Sequence, residues 1–329
     1  MDRIARPRAF LVAPDSFKGT FAATEVAEAI ARGLERAGAR ADRCPLADGG
    51  EGTMEVLLDA LGGERVAAAA HDPLGREIGA VYGALGDGRA VVEVAQASGL
   101  ELVREEERDP ESASSRGTGQ LIATAIASGA RRVVVAAGGS ATVDGGAGAI
   151  EAIEEAGGVR GAELEVLCDV RTVFEDAPQV FGPQKGADRG AIARLEARLD
   201  ELAQRLPRDP RGLEMTGCAG GLSGGLWAAF GATLVPGAPA VLDAVGFDRR
   251  LALVSAVVSG EGRLDAQSLA GKLVGEVAAR CRRSERPLDL IAGEITLDGL
   301  TIHNLGARSA TAASTLDAIE AAAATLATR

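Results

Sequence analysis

Apolar residues follow two rhythms along this chain of 329 residues. Short runs such as AFLVA at 9–13, RVVVA at 132–136 and LDLIA at 288–292 read as strands. Longer segments place apolar residues three and four apart: Val26, Ala29, Ile30 and Leu34, then Met54, Leu57, Leu58 and Leu61. The opening therefore predicts a strand over 9–13, a helix over 21–37, a strand over 40–44 and a second helix, a βαβα start that implies a parallel sheet. Over 64–94 the pattern changes to short strand-like pieces broken at Pro73-Leu74-Gly75 and Asp87-Gly88. The second break, flanked by Val81/Tyr82 and Val91/Val92, is a hairpin signal and predicts an antiparallel insertion that begins a second domain. Alternation then resumes, with helices over 119–128, 146–156 and 191–206 and strands over 132–136 and 165–168. In the last third it gives helices over 226–230, 268–280 and 314–328 and strands over 253–259 and 288–292. Arg194, Glu196, Arg198 and Asp200 most simply form a solvated helix face. No repeat or low-complexity linker occurs, so any domain boundary is a double crossing within a compact body.

Composition narrows the function. Hydrophobic residues make up 47% and aromatics only 3%. That mix suits a close-packed α/β protein and argues against an aromatic platform for single-stranded nucleic acid. A net charge of −12 repels nucleic acid and anionic membranes, and it obliges any anion site to concentrate positive potential locally. Four dispersed cysteines without a C-x-x-C pair, and only two histidines, argue against a disulfide framework or a zinc site, and predict buried free thiols. The apolar run at 10–13 is too short for a signal peptide, and no stretch of about 18 apolar residues occurs, so the expected location is the cytoplasm.

The candidate chemistry sits where the 44 glycines cluster behind strands, at the tips where an α/β sheet presents a ligand crevice. In Asp15-Ser16-Phe17-Lys18-Gly19, either Asp15 or Ser16 caps the next helix, or Lys18 meets an anion there. Asp48-Gly49-Gly50-Glu51-Gly52 pairs close backbone approach with two carboxylates, which beside a phosphate make sense through Mg²⁺. Ser115 and Arg116 precede a strand that leads into Gly138-Gly139-Ser140-Ala141-Thr142-Val143-Asp144-Gly145-Gly146. Arg116 suits bidentate capture of a carboxylate or phosphate, and the loop offers N–H groups and hydroxyls as a phosphate cradle. Gly260-Glu261-Gly262-Arg263-Leu264-Asp265 nearly matches a dinucleotide fingerprint but has Asp265 where the third glycine belongs, so Glu261 and Asp265 read better as metal-facing or hydroxyl-facing groups. Asp169 follows a strand as a candidate base or metal ligand, and Lys185 lies in a Gly/Pro loop. The Walker A pattern and the protein-kinase signatures are both missing, so a nucleotide would need another glycine-rich cradle.

These segments, in this order, resemble the class I glycerate kinase family. The similar pieces are APDSFKGT at 13–20, LADGGEGT at 46–53, DPLG at 72–75, ASGLELV at 97–103, SSRGTG at 114–119, AAGGSATVDGGAG at 136–148, CDV at 168–170, FGPQKGAD at 181–188 and SGEGRLDAQSLAGK at 259–272. The resemblance implies two α/β domains. One is a flavodoxin-like parallel sheet over 1–66 and 215–329, the other an inserted mixed α/β domain over 67–214, with the active site in a cleft between them. It implies ATP with Mg²⁺, D-glycerate as substrate, 2-phosphoglycerate rather than 3-phosphoglycerate as product, no nucleic-acid or membrane partner, and a monomer or homodimer. Transfer would be in line, carried by positioning and charge neutralisation. Lys18 and Arg116 would bind the carboxylate or the moving phosphoryl group. Asp48, Glu51 or Asp169 would hold metal or accept the hydroxyl proton, with Asp265 as a further metal-facing group, and Lys185 would neutralise developing charge. Ser16, Ser115, Gly138, Gly139, Ser140, Thr142, Asp144, Gly145, Gly260, Gly262 and Arg263 would line the substrate and phosphate sites. The chain departs from the family at Val143, where asparagine is usual, and is shorter over 150–164, 170–181 and after 292. These departures leave open a kinase for another small hydroxy acid, or a silent anion-binding relative.

Overall fold

The computed structural model describes residues 8–269 and 272–328. Its strands are β1 (Ala9–Pro14), β2 (Arg40–Arg43), β3 (Gly63–His71), β4 (Glu77–Leu85), β5 (Arg89–Glu93), β6 (Arg132–Ala136), β7 (Glu163–Cys168), β8 (Thr233–Pro236), β9 (Ala256–Gly260), β10 (Arg263–Leu264), β11 (Leu288–Ala292), β12 (Glu294–Ile295) and β13 (Ala307–Ala312). The chain divides into two compact units, Met1–Asp48 with Val241–Arg329, and Gly49–Ala240.

The first unit is built on a parallel five-stranded sheet of order β13-β11-β9-β1-β2. β1, β9 and β11 are apolar and buried almost throughout, as strands covered on both faces must be. The helices Ala23–Arg36 and Leu316–Ala327 pack together, with Val26, Ile30 and Leu34 joining Phe10, Val258, Ile319 and Leu326 in one core. In chain order the sheet runs 2-1-3-4-5, the flavodoxin-like arrangement, so the winding reverses between β1 and β9.

The second unit carries a six-stranded mixed sheet, β3-β4-β5-β6-β7-β8. The hairpin expected around Asp87-Gly88 is β4–β5, with Gly83 opposite Val91, and β3 adds a second antiparallel pair. From β5 to β8 the strands are parallel. The helices Arg116–Ala127 and Ala147–Glu155 lie against each other, and their Leu121, Ile122, Ala149 and Ile153 join Val133, Val135 and Val166 in the core. A smaller cluster of Val143, Phe174, Leu195 and Leu199 fills the space under the helix Arg189–Arg205.

The contacts divide the chain at 48/49 and 240/241, where the family resemblance implies 66/67 and 214/215. Segments 49–66 and 215–240 fall in the second unit because β3 pairs with β4, and β8 with β7. The helix expected from Gly119 begins at Arg116, and the one expected from Ser268 begins at Leu273, with Ser268 in a preceding 3-10 turn. β8 and β13 had no strand prediction: each is short or polar, and no apolar run marks it. All four cysteines are free and buried, as expected. Among the described residues no helix is long and apolar enough to cross a membrane.

Gly119 sets the spacing of the two neighbouring helices, because a Cβ there would lie 2.4 Å from the Ala149 carbonyl oxygen and 2.6 Å from its Cα. Gly119→Val is expected to cost about 2 kcal/mol through overpacking and to lower the thermal midpoint by roughly 4–8 °C. A urea or thermal melt with an unchanged midpoint would contradict this contact.

Candidate active site

The first unit places a pocket of about 400 Å³ at the carboxyl ends of β1 and β9, where the winding reverses and α/β sheets gather ligands. The Asp15 N–H donates to the Gly260 carbonyl at 2.8 Å, and a Cβ on Gly260 would sit 1.7 Å from the Ile291 carbonyl oxygen, so only glycine lets β9 run this close to β11. Ser16, Lys18, Asp48, Gly262, Arg263 and Asp265, all singled out in the sequence, line this pocket together. Three of the lining groups carry the electrostatics: Glu261, which the sequence also singled out, with Asp15 and Lys272.

Asp15 is 6% exposed and caps no helix; the helix after it starts at Ala23, with Ala22 at its cap. Its carboxylate accepts from the Ser16 N–H at 2.7 Å. Burial, with the Asp48 charge adding to it, pushes the Asp15 carboxyl up to about 8, against the pull of Lys18. Lys18 and Asp48 form an ion pair at 3.5 Å, with Lys18 67% exposed and Asp48 7%. Burial also holds Glu261 above the usual carboxylate range, opposed by Ser268 and Lys272, and its Oε1 is buried without a hydrogen-bond partner. Asp265 lies 3.7 Å from Arg263, which reaches Glu294 at the same distance. Lysines at the rim and the buried carboxylates Asp15 and Glu261 within suit a ligand that brings an anion and a cation together.

The second unit gathers the other candidates around the loop after β6. Much of the glycine content here serves packing. A Cβ on Gly138 would lie 2.6 Å from the Gly50 Cα, one on Gly49 2.6 Å from the Gly237 Cα, and one on Gly220 1.9 Å from the Thr142 carbonyl oxygen. Glu51 is exposed and flanks Gly139. Asp144, 1% exposed, accepts from the Ser115 N–H at 2.8 Å, the Ser115 hydroxyl at 2.7 Å, and the N–H groups of Gly146 and Gly148 at 3.0 and 3.3 Å. Four donors fill a carboxylate's capacity. Asp144 and Ser115 therefore fasten the starts of the helices Arg116–Ala127 and Ala147–Glu155, and the second of these helices has its N-terminus filled from within the protein. Gly145 lies against Leu199, Leu202 and Phe174.

Arg116, the first residue of its helix, forms a bidentate pair with Glu155 at the end of the helix Ala147–Glu155, which raises its pKa further. Lys185 is 3% exposed; its Nζ donates to the Ser140 hydroxyl at 2.8 Å and the Thr142 carbonyl at 2.7 Å. Burial pulls it down to about 7, against the opposing charges of Asp144 and Asp169. Val143 is fully buried in the cluster with Phe174, so the residue that departs from the family pattern points into apolar packing. Sequence reasoning assigned Asp15 no role beyond capping; its signal was a carboxylate at the end of a strand beside the winding reversal.

A model of the glycerate kinase family matches residues 10–158 and 155–328. A glycerate kinase of Bacillus subtilis (strain 168) is 38% identical, aligned over 90% of this chain and 87% of its own. A glycerate 2-kinase of Escherichia coli (strain K12) is 36% identical over 90% of this chain and 88% of its own. The crystal structure of a glycerate kinase 2 candidate from Salmonella typhimurium LT2 superposes with a TM-score of 0.83 at 33% identity, covering 98% of this chain and 97% of that one. The chain belongs to the glycerate kinase family, a family of ATP-dependent phosphotransferases.

Proposed function

We propose that this protein transfers the γ-phosphate of ATP to D-glycerate, with 2-phosphoglycerate as the product. The observation that carries this reading is the pocket at the β1/β9 winding reversal, where Lys18 and Lys272 stand beside Asp15, Asp48 and Glu261 in a chain of this family. Phosphoryl transfer demands positioning and charge neutralisation more than covalent chemistry, and these groups are the tools for it. Lys18 and Lys272 take the phosphoryl oxygens, and Asp48, fixed by Lys18, accepts the proton of the attacking hydroxyl. The kinase named glycerate 2-kinase among the relatives supports position 2.

The residues fit Mg²⁺. Glu261 Oε1 is a buried oxygen without a partner, and Asp15 offers a second carboxylate beside it. Among the described residues no closed cage of three ligands forms, and Mg²⁺ commonly takes one or two carboxylates and completes its shell with phosphate and water. Held by Glu261 and Asp15, Mg²⁺ would neutralise charge on the transferred group.

A coupled ADP assay over a panel of small hydroxy acids tests the reading, with the product identified by phosphorus NMR. D-glycerate is expected to give the highest kcat/KM; a better substrate within the panel, or no ADP formation at all, defeats the assignment. Lys18→Met removes an exposed charge with little effect on folding and is expected to lower kcat by about 100-fold. Turnover within a few-fold of wild type would remove Lys18 from the reaction.

The raised Asp15 carboxyl gives a pH signature. Its folded pKa of about 8 exceeds its unfolded value of 3.8, so its contribution to stability is fully present below pH 3.8 and is lost as pH rises through 8. Asp15→Asn is expected to flatten the decline of urea-unfolding stability across that window. Identical slopes in the two proteins would show that Asp15 ionises normally.

A further inference from the structure

We infer that residues 138–142 form a preset cradle for a compact oxyanion, and that Lys185 is the positioning residue that shapes it from behind. This rests on the kinase reading above and adds to it the division of labour within the second unit.

Both hydrogen bonds of the buried Lys185 end on the loop, at Ser140 and Thr142, so it acts on a ligand through the loop. Ser140 accepts from Lys185 through Oγ, which leaves its own O–H to donate. The Thr142 hydroxyl is fully buried in the same loop and has no hydrogen-bond partner, a donor of the kind an oxyanion satisfies. The following helix cannot supply the site, because Asp144 already occupies the N–H groups of Gly146 and Gly148. The cradle is thereby confined to the turn that Lys185 holds. Opposite it, the loop of residues 49–52 approaches within backbone contact through Gly50 and Gly138.

The charge behind the cradle is adjustable. An ammonium has three N–H donors, and the loop gives Lys185 two acceptors. The charged groups acting on it are Asp144 and Asp169, and the Phe181 ring lies 5.8 Å from Nζ. With its pKa brought to about 7, Lys185 loses its proton in the free protein as pH rises above neutrality. An oxyanion in the cradle favours the charged form, so binding takes up a proton above pH 7 and almost none below it.

Two oxyanions are available, the glycerate carboxylate and a nucleotide phosphate. Isothermal titration separates them, using D-glycerate alone and Mg·ADP alone, each in buffers of different ionisation enthalpy. With one of the two ligands, wild type minus Lys185→Met is expected to show close to one proton taken up at about pH 8.5 and almost none at about pH 6. The same variant should weaken that ligand by about tenfold or more and leave the other within about twofold. Equal proton counts in the two proteins, or affinities for both ligands within about twofold, overturn the proposal. If Lys185→Met does not fold, wild type decides alone: no uptake with either ligand at about pH 8.5 overturns it. Linked protons without turnover of D-glycerate defeat the glycerate reading and leave the cradle standing. Turnover without linked protons does the reverse.

Discussion

A Cβ on Gly260 would sit 1.7 Å from the Ile291 carbonyl oxygen, and one on Gly220 would sit 1.9 Å from that of Thr142. At these points two chain segments touch with no room for a side chain. In the first unit the contact brings the end of β9 beside β11 and sets the direction in which Glu261 and Gly262 leave the sheet. In the second, contacts of the same kind join Gly49 to Gly237 and Gly50 to Gly138, and so fix the loops that carry Glu51, Ser140 and Thr142. The polar groups at both sheet tips inherit their positions from these backbone contacts, and a methyl group at any of them would displace the chemistry before it touched a ligand.

On that frame the two units handle buried charge in different ways. At the pocket of the first, Asp15 is buried beside Asp48, and Glu261 has an oxygen without a partner. Such an arrangement costs stability in the free protein, and a bound cation would recover that cost. The second satisfies Asp144 with four donors and spends it on joining two helices, while Lys185 is shielded by its loop. Functional sites commonly break the rule of full polar satisfaction and structural clamps obey it, which separates groups that look alike in the sequence.

The strand and helix rhythm was legible because burial on both faces gives β1, β6 and β11 short apolar runs, interrupted in β11 by Asp289, and the family motifs identified the two sheets. Where glycines cluster was legible too. Their use was not, because Gly49 meets Gly237 and Gly220 meets Thr142, partners far along the chain that no local window contains. Asp144 and Ser115 read as phosphate ligands since a carboxylate or hydroxyl facing backbone N–H groups has one chemistry, whether it caps a helix or shares it with a substrate. Val143 read as a lost polar group, and only the packing of Phe174 and Leu199 explains why an apolar residue belongs there. The pairing of Arg116 with Glu155 was hidden for a similar reason: helix spacing gave no hint that the end of one helix returns to the start of another.

The strand order has a bearing on how the chain is made. β1 lies between β2 and β9, so its inner neighbour, Ala256–Gly260, emerges from the ribosome long after it. Until then residues 9–43 have only the β1–β2 pair and the helix Ala23–Arg36, too little to be stable alone. The unit Gly49–Ala240 is continuous and complete by that time. Synthesis therefore finishes the inserted body first and holds the amino-terminal segment in waiting, with the apolar faces of Phe10, Val12 and Ile30 uncovered, a stage at which a chaperone has something to hold.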